Sequence, residues 1–223
     1  DGVLTDASLF YGARGETLKA FSARDGFAIK LAQSEGIPVA ILSGRLVAAV
    51  KARIAEIGEY ASAAQVPASA LVRMAKLAVV LLEWMERHDL DASAIQCWSS
   101  MQQNFGVNVC TVMSMLSERL MPSACEVDIA GAISMYALQL AGGGSSALFD
   151  WNNNYGDDPD KAVCFHCSNL PKHFFADVRM DYQEIIAGTV GKANTFGTLV
   201  GRVKSGPMTF ARFSTDDRAG RIK

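Results

Sequence analysis

Apolar positions along the 223-residue chain change their period several times. Residues 25–34 have helix-like spacing, and 39–42 form a short apolar strand that stops at Ser43, Gly44 and Arg45. Over residues 46–57, Val47, Val50, Ile54 and Ile57 share one helical face. This βα unit ends its strand in a small polar turn, where α/β proteins place their chemistry. Pro67 opens a helical stretch over 66–88, with an apolar packing stripe of Leu71, Met74, Leu77, Leu81 and Trp84. Residues 94–98 read as a buried strand, 112–120 as a helix, 125–129 as a strand, 131–141 as a helix and 147–151 as a third strand. The third strand runs into a polar, loop-forming stretch at 152–158. Beyond 160 the texture changes: 162–165, 197–203 and 208–213 read as strands between Gly, Asn, Asp and Pro turns, with no long helix.

Alternating strands and helices predict an α/β fold, a Rossmann-like parallel sheet with flanking helices, followed by the start of a β-rich module. Composition agrees with a globular core: 50% of residues are hydrophobic and 20% charged, which excludes a disordered tail, a collagen-like fibre and a coiled coil. The longest aliphatic run, residues 77–82, is far short of the roughly 20 residues of a membrane span. A net charge of −2 has no basic excess, so neither nucleic acid nor a membrane is expected as a partner. The 5 cysteines, an odd number spread through apolar segments, fit reduced thiols of a cytoplasmic protein better than a disulfide framework. Cys164 and Cys167 have CxxC spacing, but no second CxxC follows and no helix opens there, so no metal or redox role is expected of that pair.

Three residues carry the most informative chemistry. Glu126 places a carboxylate at the start of an apolar strand, Asp150 lies near a strand end, and His166 closes the next apolar segment. Two carboxylates and an imidazole suit a hard divalent ion such as Mn²⁺ or Mg²⁺. The same spacing also allows a helix-capping Glu126, an Asx turn at Asp150 and a hydrogen-bonded core histidine. A second constellation joins Asp1, Ser43 and the acids 157, 158 and 160 in an order suited to phosphoryl chemistry with Mg²⁺, or else to unrelated turns. Trp98 and Trp151 offer ring faces for a sugar, or core packing.

Residues 1–58 resemble a phosphatase of the haloacid dehalogenase superfamily that acts on 3-deoxy-D-manno-octulosonate 8-phosphate. The resemblance rests on the opening Asp1-Gly2-Val3-Leu4-Thr5-Asp6, on Arg24-Asp25-Gly26 and on residues 39–45. It implies a general-acid place for Asp1 and a phosphate-binding place for Ser43. Residues 59–223 resemble the L-fucose/L-arabinose isomerase-like family, through 94–98, 124–128, 134–138, Phe149-Asp150-Trp151-Asn152-Asn153 and Phe165-His166-Cys167. That resemblance implies a Rossmann-like central domain over 59–160, the start of a β-rich C-terminal domain over 161–223, and a metal-dependent aldose–ketose isomerase. Glu126 and Asp150 take the catalytic places, and Glu126, Asp150 and His166 hold Mn²⁺, Mg²⁺ or another divalent ion. Trp98, Trp151, Asn152 and Asn153 face the sugar, which is L-fucose, L-arabinose or a related one. The family's enzymes are oligomers, so a homo-oligomer is expected. Protons move by carboxylate through an enediol. A phosphatase segment and a non-catalytic sugar-binding or oligomerising remnant are the alternative readings. The chain opens on Asp1 rather than Met, and no His follows His173 to serve as the family's further C-terminal ligand. From the sequence we therefore expect a fusion of two partial enzymes with little turnover.

Overall fold

The computed structural model describes residues 9–12, 15–19, 34–36, 48–167 and 169–222. The chain divides into two compact units, Asp1–Leu46 and Val47–Lys223. In the first, β1 (Leu9–Gly12) pairs antiparallel with β2 (Gly15–Lys19), with Leu9 opposite Lys19 and Gly12 opposite Gly15. The strand expected at 39–42, all of the helix expected at 25–34 except Ser34, and both Asp1 and Ser43 lie outside the described residues.

The second unit is built on two helices, α1 (Ala48–Tyr60) and α2 (Ala68–Arg87). Both match the sequence periodicity, and Pro67 stands at the N-cap of α2. Ile57 of α1 and Met74 of α2 are fully buried, in one core cluster with Met180, Leu199, Phe175 and Phe196. Burying such side chains supplies the main stabilising term, about 1.5–3 kcal/mol each.

Next come β3 (Ser93–Ile95), α3 (Ser100–Asn104), α4 (Cys110–Glu118), β4 (Ser123–Cys125) and α5 (Ile129–Gly142). Strands β3 and β4 pair in parallel, with Ser93 opposite Ser123 and Ile95 opposite Cys125. Helix α4 is buried from Cys110 to Ser117, because it runs through the interior rather than over a face. Helix α5 starts where Asp128 Oδ1 accepts the Gly131 N–H at 2.7 Å, an N-cap that satisfies one of the free amides of the first turn. It ends on Gly143, whose φ of 67° provides the left-handed C-cap.

The remainder is antiparallel. Strand β5 (Asp150–Tyr155) forms a hairpin with β6 (Asp158–Phe165), and β7 (Phe175–Tyr182) pairs with β8 (Phe196–Val203). Between β7 and β8 lies α6 (Glu184–Val190), and a last short pair joins β9 (Thr215–Asp216) to β10 (Arg221–Ile222). Backbone approach fixes β8 against α4. The Asn108 N–H donates to Phe196 O at 2.8 Å, Thr111 Oγ1 donates to Gly197 O at 2.9 Å, and a Cβ on Gly197 would lie 2.5 Å from Asn108 O.

Mixed helices and strands are therefore present, but among the described residues every sheet is two-stranded, so the expected Rossmann-like sheet is not seen there. Among the described residues parallel pairing between strands is confined to β3 and β4. The third strand expected over 147–151 is instead the first arm of a hairpin. Gly156, with φ 58°, turns the chain so that Tyr155 faces Asp158, a two-residue loop that returns the strand antiparallel. The run 152–155, expected as a loop, is strand for the same reason. Residues 208–213, expected as a strand, have no strand partner, and β8 takes β7 instead.

Candidate functional site

The carboxyl ends of β3 and β4 face the β5–β6 hairpin and the start of α6 across a cavity of about 170 Å³. Trp98, Glu126, Asp150, Asn152, Cys167 and Gln183 are among its lining residues. Five separate stretches of chain contribute them.

Glu126 is not inside a strand, as the apolar pattern suggested. Strand β4 stops at Cys125, and Glu126 and Val127 are both left-handed, with φ of 61° and 56°. Two consecutive non-glycine residues in this region each cost about 1 kcal/mol or more. One long-range and one local backbone bond hold them: the Val127 N–H donates to Ile95 O at 3.3 Å, and the Asp128 N–H closes the turn on Cys125 O at 3.0 Å. The strained turn sets the Glu126 carboxylate at the cavity, where Trp98 Nε1 donates to Oε1 at 3.3 Å.

Asp150 begins β5 opposite Phe165, which brings it beside His166. His166 Nδ1 lies 3.2 Å from Asp150 Oδ2; the imidazole is 2% exposed and the carboxylate 54%. Burial works against the imidazolium, but Cys167 and Asp150 outweigh it and push the His166 pKa up to about 9. The Glu126, Asp150 and His166 ligand atoms do not all lie within 4.8 Å of one another. Glu126 and Asp150 share the cavity wall, while His166 reaches the group through Asp150. Of the expected sugar-facing residues, Trp98 and Asn152 line the cavity. Trp151 is 69% exposed and packs on Phe210 with ring centroids 5.3 Å apart. Asn153 is exposed on the hairpin, paired with Val163.

Sequence reasoning missed the cysteines. Cys97, Cys125 and Cys167 have sulfurs all within 4.8 Å of one another, and Cys125 Sγ to Cys167 Sγ is 3.6 Å. Cys110 lies outside that group but lines the same cavity as Cys97 and Cys167. Hydrogen bonding from Cys125 and then Cys167 lowers the Cys110 pKa, whereas bonding to Cys110 raises that of Cys125. The CxxC pair is not the unit, since Cys164 sits opposite Trp151 in the hairpin. No sequence signal pointed to them: it is the observed register of the two parallel strands, Ile95 beside Cys125, that brings Cys97 and Cys125 to the same carboxyl edge.

Comparison with known proteins gives two unrelated resemblances, both consistent with the sequence reading. The family model for the L-fucose isomerase C-terminal domain matches residues 164–223. Sulfoquinovose isomerase of Alkalicoccus urumqiensis is 32% identical over 95 residues, 43% of this chain and 21% of that protein. The sulfoquinovose isomerase of Priestia megaterium is 31% identical over 98 residues, 44% of this chain and 22% of its own. The 3-deoxy-D-manno-octulosonate 8-phosphate phosphatase of Haemophilus influenzae is 50% identical over 58 residues, 26% of this chain and 32% of the phosphatase. The chain thus spans about a fifth of the isomerases and about a third of the phosphatase it matches. No solved structure matches.

Proposed function

We propose that the second unit carries the site of a metal-dependent aldose–ketose isomerase of the L-fucose/L-arabinose isomerase-like type. The observation that carries this reading is the single cavity wall shared by Glu126 and Asp150, with His166 bonded to Asp150. Two carboxylates and an imidazole are the donor chemistry of a hard divalent ion, Mn²⁺ or Mg²⁺. When bound, such an ion polarises the carbonyl and the adjacent hydroxyl of an open-chain sugar. Glu126 then acts on the proton. Trp98 engages its Oε1, and Oε2 takes the proton from one carbon and returns it to the next, while the hydroxyl proton passes from one sugar oxygen to the other. Asp150 orients His166, and Asn152 and Gln183 present amides to sugar hydroxyls along the same wall. The class of sugar is that of the family, L-fucose, L-arabinose or a related aldose. The reduced thiols suit the cytoplasm. A homo-oligomer fits Ile129, Ile133 and Leu140, which form an exposed apolar face on α5 of the kind a second copy covers.

Proton exchange tests the reading more sensitively than net turnover. The chain incubated with Mn²⁺ and L-fucose or L-arabinose in heavy water is expected to introduce deuterium next to the sugar carbonyl, and Glu126→Gln to stop this. Exchange that is absent, or equal in the variant, contradicts it.

The first unit supports a separate reading, because the phosphatase identity reaches 50%. In that reading Ser43 binds phosphate and Asp1 stands in the general-acid place. Inorganic phosphate is then expected to bind saturably and to lose affinity in Ser43→Ala; equal binding in both proteins contradicts it.

A further inference from the structure

We propose that Cys97, Cys110, Cys125 and Cys167 form a tetrathiolate site for a single Zn²⁺ ion, distinct from the hard-ion site of the carboxylates. Zinc bound by four thiolates at about 2.3 Å requires sulfurs about 3.8 Å apart along each edge of the tetrahedron. Cys125 and Cys167 are 3.6 Å apart, close to that edge and far from the roughly 2.05 Å of a disulfide. Cys97 completes a triangle with sides no longer than 4.8 Å, and Cys110, outside that triangle, lines the same cavity as Cys97 and Cys167, from where its thiol closes the fourth position.

The four residues come from four separate places: beyond β3, the start of α4, the end of β4 and beyond β6. A thiol buried merely as a small apolar group has no reason to seek three others across such separations. Cys97, Cys110 and Cys125 are at most 2% exposed, while Cys167 is half-buried and lines the cavity, which gives an ion its way in. The backbones that carry the thiols are also braced. Gln102 Nε2 donates to Cys97 O at 2.7 Å, and Asn169 Nδ2 donates to Ser123 O at 2.6 Å, fixing the segment after Cys167 against β4. All four positions full, with no vacancy for a substrate, make this a closed site whose work is to tie β3, β4, α4 and the hairpin together. Loading replaces one proton on each thiol by a bond to zinc and releases those protons to solvent.

Co²⁺ is the probe, added to the full-length chain purified under reducing conditions. One Co²⁺ per chain is expected, with a thiolate-to-cobalt charge-transfer band that Zn²⁺ abolishes by displacement. Cys125→Ser is expected to weaken binding by about a hundredfold or more, whereas Cys164→Ser and Glu126→Gln retain the band. A variant that fails to fold does not remove the test, because the wild-type chain answers separately. Zn²⁺ must slow alkylation of Cys97, Cys110, Cys125 and Cys167 but not of Cys164, read by peptide mass spectrometry. Absence of the charge-transfer band, a band unchanged in Cys125→Ser, or unaltered alkylation overturns the proposal. So does a Cys125–Cys167 disulfide that persists with no metal bound. Failure of the carboxylate site leaves these readouts unchanged, so the two claims fall separately.

Discussion

The imidazole of His166 is buried, yet its Nδ1 sits 3.2 Å from the Oδ2 of Asp150, a carboxylate more than half open to solvent. The pair joins the interior to the cavity wall. A charge-assisted hydrogen bond of this kind is worth about 1.5–3 kcal/mol when buried, and solvent at Asp150 reduces that to about 1 kcal/mol. Asp150→Asn is therefore expected to lower the urea unfolding free energy by about 1 kcal/mol. An unchanged midpoint would show that the contact contributes nothing.

Tyr60 leads a second relay. The Lys172 N–H donates to Tyr60 Oη at 2.8 Å, Tyr60 O–H donates to Ser114 Oγ at 2.8 Å, and Ser114 donates to Leu170 O. The relay ties α1 and α4 to the segment that follows Cys167. Burial, the largest influence, pushes the Tyr60 pKa up from 10.0 to about 12. A folded pKa raised above the unfolded value gives stability that is full below pH 10 and lost as pH rises through about 12. An absorbance titration should show one phenolate step near pH 12 that disappears in Tyr60→Phe. A titration identical in the two proteins would rule out the buried phenol.

Gly197 is a backbone constraint that can be tested without touching the site. Its φ is 109°, and an added Cβ would meet Asn108 O at 2.5 Å, so β8 and the entrance to α4 must separate. Gly197→Ala is expected to cost about 3 kcal/mol or more in thermal or urea unfolding. Gly206→Ala, with nothing within 4 Å, is expected to stay within about 0.5 kcal/mol of the parent. Equal costs would contradict the close approach.

How much of this was legible before the structure depended on the kind of signal. The long stripe from Leu71 to Trp84 is periodic, and α2 forms where it lies. Strand β5 has six exposed residues, so no apolar alternation marks it; its hairpin is written in the turn at Gly156 instead. Residues 208–213 are mostly apolar and read as a strand, but with no partner strand they stay irregular, and Phe210 packs on Trp151. Glu126 was expected at the start of an apolar strand, and it lies instead just past the end of β4. The two left-handed residues that end the strand there have no periodic signature. The thiol cluster is a product of tertiary folding, since positions 97, 110, 125 and 167 obey no ligand spacing.

The carboxylate site is the central claim, and thermal unfolding with and without Mn²⁺ tests it most directly. A ligand that binds only the folded chain at 100 times its Kd stabilises it by about 2.7 kcal/mol, a shift of several degrees. Mn²⁺ is expected to raise the midpoint by that order in the parent chain and in Cys125→Ser. It should have no effect in Glu126→Gln or Asp150→Asn. A midpoint insensitive to Mn²⁺ in the parent, or a shift that survives both carboxylate substitutions, contradicts the account.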